Sequence, residues 1–145
     1  LRFTVEGPPV AWKRARRRGN RYFIDPDEDA HRKKIALLAK QAGAKVLEGP
    51  VSMFVDIGCE WPRSKWRKRN PRGSEWCPVK PDSENVLKLL KDALEGVCFK
   101  NDSQVCWEIV WKRYVPQGEP ARTVVQVWGL GTDLDPTTHV DSEGR

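Results

Sequence analysis

KPDSENVLKLLKDALEGVCFKNDSQV, Lys80 to Val105, is the stretch from which the architecture is read. At about 100° per residue, Val86, Leu87, Leu89, Leu90, Ala93 and Leu94 form one broad apolar face, which predicts an amphipathic helix. Glu84, Lys88, Lys91, Asp92 and Glu95 fall opposite. Downstream, QVCWEIVWKRYV reads as a strand with Val105, Trp107, Ile109 and Trp111 on one side, and ARTVVQVWGL as another, joined to it by a Pro/Gly turn. Upstream, VSMFVDIGCE alternates as a strand, with Phe54 marking a partly covered second face. Between it and the helix lies WPRSKWRKRNPRGSEWCPVK, a long basic loop of the kind that is functional or disordered. Further back, Asp25 as N-cap, Pro26 at the first helical position and Gly43 as a stop bracket a helix of about four turns. Gly19-Asn20 centres a basic hairpin, and Leu1 to Val5 is a short strand.

This order predicts an α+β fold of mixed α/β layers: a small sheet with two main helices on one face and an antiparallel pair at the C-terminal end. The other sheet face is left for a partner. One domain spans residues 1–130, and the acidic stretch 131–145 reads as a disordered tail.

Composition narrows the function. The 145 residues carry a net charge of +6; the last fifteen hold four acids and one base, so the rest carries +9. A body this basic suits a polyanion, nucleic acid first. The four cysteines form no CxxC pair and only two histidines accompany them, which argues against structural zinc. Reduced thiols, the lack of a secretory apolar stretch and the lack of a membrane-length apolar run point to a cytoplasmic protein with no membrane partner.

Asp82 and Glu84 stand two apart at the start of the Val86–Leu94 helix, and Asp102 in the loop beyond it, just before a strand. Phosphodiester hydrolysis needs charge stabilisation and a positioned water, which a magnesium ion held by two or three carboxylates supplies. Should that strand run beside the segment carrying Asp82, all three acids converge, and Lys88, one turn after Glu84, reaches the phosphate. The competing reading makes Asp82 an N-cap, Glu84 and Lys88 an i,i+4 surface pair and KNDSQ a plain turn. No acid-x-Lys pair, Walker loop, HExxH or GxSxG is present. Asp133, Asp135 and His139 read as tail charge rather than a metal site.

Lys-Pro-Asp at residues 80–82, the acid Glu84, Asn85, Lys88, Asp92-Ala93-Leu94 and the loop Asp102-x-Gln104-hydrophobic together resemble the central signature of the RusA family of Holliday junction resolvases. GPPVAWKRARRRGNRYFIDP is similar to that family's opening, and the likeness runs over about residues 2–130. The resemblance implies a homodimeric, magnesium-dependent endodeoxyribonuclease, with manganese as the alternative ion and no small-molecule cofactor. Such an enzyme resolves four-way junctions by paired symmetric nicks in DNA recombination and repair, in a bacterial or phage-infected cell. It assigns Asp82, Glu84 and Asp102 as catalytic metal ligands, Lys88 as the essential lysine and Asn85 as a supporting residue, with Asp92 structural. Glu84 departs from the family's usual Asp, and Asn101 stands where a second Asp is frequent.

Lys13, Arg14, Arg16, Arg17, Arg18 and Arg21 form one basic cluster; Arg63, Lys65, Arg67, Lys68, Arg69 and Arg72 form a second. Both suit branched DNA, recognised through phosphates by shape. Trp107, Trp111 and Trp128 belong to strands, at the core or a dimer interface, whereas Trp12, Trp61, Trp66 and Trp76 lie in loops, to pack beneath them or to stack on an unpaired base. The alternatives are a non-catalytic nucleic-acid-binding module and a nuclease of the same chemistry that cuts flaps or other branched DNA.

Overall fold

A computed structural model describes residues 1–131 and 139–140. The strands are β1 (Arg2–Glu6), β2 (Arg16–Arg18), β3 (Arg21–Phe23), β4 (Val51–Cys59), β5 (Val105–Tyr114), β6 (Arg122–Leu130) and β7 (His139–Val140); the helices are α1 (Pro26–Gln41) and α2 (Ser83–Leu94). The main sheet has the order β1-β6-β4-β5, with β7 pairing the end of β6, while β2 and β3 form a separate hairpin. The expected α+β layers are present. Of the expected acidic tail, only His139–Val140 and Gly131 fall among the described residues; Asp133 and Asp135 lie outside them.

α1 starts where Asp25 accepts a hydrogen bond from the Asp27 amide at 2.9 Å, and Gly43 follows its end at φ +93°. Every second residue of β4, from Val51 to Cys59, is buried beneath the helices along with Val125 and Val127 of β6. Ile35 and Ala39 of α1 and Val86, Leu87, Leu90, Ala93 and Leu94 of α2 pack into the same core, together with Phe3, Val5 and Phe99. Arg32 of α1 bridges the buried Glu28 at 2.9 Å and Asp92 of α2 at 3.5 Å, tying the two helices together. The opposite sheet face carries Phe54, Ile109 and Trp111, and Trp111 meets Phe54 and Trp76 edge-on at 5.2 and 6.2 Å.

The two C-terminal strands do not pair with each other, contrary to expectation. β4 lies between them, parallel to β5 and antiparallel to β6, so that Val55 faces Val110 on one side and Val125 on the other. The reason is the crossover: α2 carries the chain from β4 back to its starting end, which sets β5 parallel beside it. The turn after β5 then crosses the end of β4, where the Val115 amide bonds the Cys59 carbonyl at 2.8 Å. The crossing is so close that a Cβ on Gly58 would lie 2.7 Å from the Arg122 carbonyl oxygen and 2.7 Å from Val115 Cγ1. Because a backbone carbonyl cannot swing aside, Gly58→Ala should cost about 1–3 kcal/mol, read as a lowered urea midpoint with an unchanged slope; an unaltered midpoint would show that the crossing is looser than this.

Candidate active site

At the start of α2 the sequence builds an anionic corner in a cationic setting. Asp82 occupies the N-cap position, and its carbonyl accepts the first helical bond from Val86 at 3.2 Å, yet its carboxylate makes no capping bond. Glu84 stands in the first turn. Both side chains are exposed, and among the described residues neither enters an ion pair or a side-chain hydrogen bond. The ordinary capping role for Asp82 and the ion pair of Glu84 with Lys88 are therefore both absent, leaving two free carboxylates beside the orphan N–H groups of a helix start.

Three contacts hold this corner. Lys112 of β5 donates its Nζ to the carbonyls of Val79 and Pro81, the latter at 2.7 Å, anchoring the approach to Asp82. The Trp12 amide bonds the Asn85 carbonyl at 2.9 Å, laying the N-terminal segment across the first turn of α2. Lys88 Nζ then sits 3.6 Å from the centroid of the Trp12 ring, a cation–π seat for its ammonium. Asn85 thus contributes its backbone to the arrangement. Trp12 was legible only as a tryptophan among bases; no spacing links it to Lys88.

Asp102 stands elsewhere. The turn Asp102–Gln104 leads into the start of β5 at Val105, whereas Lys112, which reaches Pro81, lies near the strand's other end. α2 returns antiparallel to β5: Lys112, late in the strand, reaches Pro81 just before the helix, whereas Glu108, early in the strand, pairs at 3.2 Å with Lys91 in the helix's last turn. Asp82 and Asp102 are consequently on the order of 20 Å apart, the length of α2. Among the described residues, no three His, Cys, Asp or Glu side chains stand together as a metal-holding group. The structure brings Asp82, Glu84, Asn85 and Lys88 together and leaves Asp102 at the opposite end.

The surroundings of Asp102 are nonetheless specific. Asn101 Oδ1 accepts the Ser103 amide at 2.9 Å, while Gln104 Oε1 accepts the amides of Lys100 and Asn101 and its Nε2 donates to the carbonyls of Leu47 and Gly49. Asn101 and Gln104 spend their polar groups on fixing the turn, and Asp102 is presented outward, exposed and without a side-chain partner among the described residues.

The first basic cluster adjoins the Asp82 corner through Trp12, and the second lies on the loop that leads from β4 to it. Lys13 and Arg14 directly follow Trp12; Lys13 pairs with Asp25 at 3.2 Å, and Arg17 bonds the Gly19 carbonyl. The second cluster lies on an ordered loop. Trp61 stacks on Tyr114 at 3.8 Å, and Gln117 bonds the backbone of Arg67 and Arg72. Arg72 stands 4.8 Å over the Trp61 ring and donates to the Lys65 carbonyl, so it holds the loop in shape, whereas Lys65, Lys68 and Arg69 remain exposed. Cys59 and Cys77 meet at the base of the loop; burial, and then the neighbouring Cys77, pushes the Cys59 thiol up to about 12, which keeps it protonated and unreactive. Of the loop tryptophans, Trp61 and Trp66 donate their indole N–H groups to backbone carbonyls, and Trp76 is left 69% exposed.

The family model described as endodeoxyribonuclease RusA matches residues 6–128. The chain belongs to the RusA endodeoxyribonuclease family. A Bacillus subtilis (strain 168) protein, named as the uncharacterized protein YqaN, is 36% identical over 115 residues, covering 72% of this chain and 81% of its own length. The signature of this RusA family therefore divides in space: its Lys-Pro-Asp half lies at the start of α2, and its Asp-x-Gln half at the start of β5. Because Lys88 rests on Trp12, a double-mutant cycle of Trp12→Ala with Lys88→Met should return a coupling of about 0.5–1 kcal/mol in urea unfolding; a coupling of zero would mean that the ring does not hold the lysine in solution.

Proposed function

We propose that this chain is a divalent-metal-dependent endonuclease that resolves four-way DNA junctions as a homodimer. The observation that carries this reading is the pair of carboxylates, Asp82 and Glu84, unpartnered among the described residues, at a helix start beside Lys88 and the segment that continues into Lys13 and Arg14. Free carboxylates beside Lys and Arg that leave them unpaired fit a hard cation such as magnesium or manganese. When bound, such an ion stabilises charge on the phosphate and activates water. Asp82 and Glu84 would hold it from this chain, Lys88 would meet the phosphate or the departing oxygen, and Lys13, Arg14, Lys65, Lys68 and Arg69 would hold the DNA backbone.

The separation of Asp102 favours a two-chain site. A two-fold axis crossing β5 reverses the strand, so Asp102 of the partner subunit comes to the end where Asp82 and Glu84 stand. One dimer then has two equivalent sites, as two symmetric nicks require, and neither site exists in a lone chain.

The test is nicking of a mobile four-way junction beside its matched linear duplex and a flap, with magnesium or EDTA. Asp82→Asn and Asp102→Asn should each abolish cleavage while leaving junction binding intact. Mixing the two inactive variants should restore about a quarter of the wild-type sites, as single nicks, because in a mixed dimer one site recovers both wild-type halves. No recovery from a mixture shown to exchange subunits would place all the acids of each site within one chain. Binding with no cut under several metals would leave a basic binding module, and equal cutting of flaps would widen the substrate class.

A further inference from the structure

The β2–β3 hairpin stands off the main sheet, and all six of its strand residues are exposed. Its register sets Arg16 opposite Phe23 and Arg18 opposite Arg21 on one face, and Arg17 opposite Tyr22 on the other. The Lys13–Asp25 ion pair ties its two legs at the root, and Asp25 caps α1 there. Between this root and the start of α1 opens a cavity of about 200 Å³, lined by three bases, Lys13, Arg14 and Arg16, by the apolar Phe23 and Ile24, and by two acids that are already paired, Asp25 with Lys13 and Glu28 with Arg32. Phe23 and Ile24 are 50% and 52% exposed, and Arg14 and Arg16 have no ion-pair partner among the described residues.

A cationic rim against an apolar, aromatic wall matches the chemistry of a single nucleotide: phosphate to Arg14 and Arg16, base against Phe23 and Ile24. A paired base cannot enter such a space; one that has left the stack can. Linear duplex yields such a base only at a cost of a few kcal/mol, least where pairing is already interrupted. Phosphate contacts alone are made by any DNA, whereas this cavity favours DNA with a break in its stacking. It also lies next to the candidate active site, since Lys13 follows the residue whose amide bonds Asn85.

We propose that the cavity at the root of the β2–β3 hairpin receives one extruded nucleotide of the branch point, so that Phe23 contributes to the choice of branched over linear DNA. This rests on the nuclease reading above. The experiment places 2-aminopurine at the branch point of a four-way junction and in the matched linear duplex, and measures emission and affinity in EDTA for wild type, Phe23→Ala and Tyr22→Ala. Tyr22 lies on the opposite face of the same hairpin and serves as the control; both rings are exposed, so both variants should melt as wild type does.

Wild type should raise the branch-point emission and prefer the junction. Phe23→Ala should lose that rise and about tenfold in junction affinity with duplex affinity unchanged, while Tyr22→Ala changes neither. If wild type prefers the junction and Phe23→Ala keeps both the signal and the preference, the cavity proposal is overturned and the nuclease reading stands. If Tyr22→Ala loses as much as Phe23→Ala, the hairpin touches DNA as a whole and the cavity is not the site. Wild type with no preference for the junction overturns junction resolution itself, and this proposal with it.

Discussion

α2 buries Val86, Leu87, Leu89, Leu90, Ala93 and Leu94, and because β4 and β5 are parallel, the helix between them must run the other way. Burying those six side chains is worth on the order of 10 kcal/mol before the entropy of ordering the segment is set against it. That packing fixes the site. The N-terminal end of α2 lies where β4 and β5 end, and the turn after α2 lies where β5 begins. The acids at the two ends of the motif are held as far apart as the helix is long. No side-chain rotation closes a gap of about 20 Å, since a Glu or Asp reaches only a small part of it. Convergence of the motif has to come from a second chain, or from the acids serving different purposes.

Electrostatics at the α2 end runs counter to the usual pairing of surface charge. The chain has 26 Lys and Arg against 20 Asp and Glu, so partners for Asp82 and Glu84 are plentiful. Lys80 is exposed and without a partner among the described residues, but three other lysines around the corner are committed elsewhere. Lys112 is held by two backbone carbonyls, Lys88 by the Trp12 ring and Lys13 by Asp25. Each lends positive potential to the corner without neutralising it. Arg72, from the middle of the second basic loop, is likewise spent on Trp61 and the Lys65 carbonyl, which stiffens the loop while its neighbours remain free. A corner kept anionic within a basic surface suits a cation that must be held close to DNA phosphate.

The helices were legible because their signals are local. α1 carries its own cap and stop at Asp25, Pro26 and Gly43, and α2 shows an uninterrupted apolar face. Strand existence was equally plain from alternation. Strand partnership was not, because Val105–Tyr114 and Arg122–Leu130 look like a hairpin from their spacing, and only the three-dimensional crossover inserts β4 between them. Gly58, a glycine inside a strand, was the available sign of a close backbone approach. The residue set of the candidate site was readable from the motif, but its division between two ends was not, since spacing says nothing of helix direction. Trp12 beside Lys88 was hidden for the same reason: their contact depends on the N-terminal segment folding across α2.

That segment joins functions that the sequence keeps apart. Trp12 bonds Asn85 through its amide and seats Lys88 with its ring, Lys13 closes the root of the hairpin on Asp25, and Asp25 starts α1. α1 in turn is bound to α2 through Arg32 and its two acids. A displacement of the hairpin therefore has a short covalent and hydrogen-bonded route, through Lys13 and Trp12, to the lysine beside the candidate metal acids. In the proposed nuclease, a nucleotide held at the hairpin root and a phosphate at the α2 corner would be registered against each other by two consecutive residues, Trp12 and Lys13. An enzyme whose substrate is defined by branching needs such a fixed distance between the point where it detects the branch and the point where it cuts.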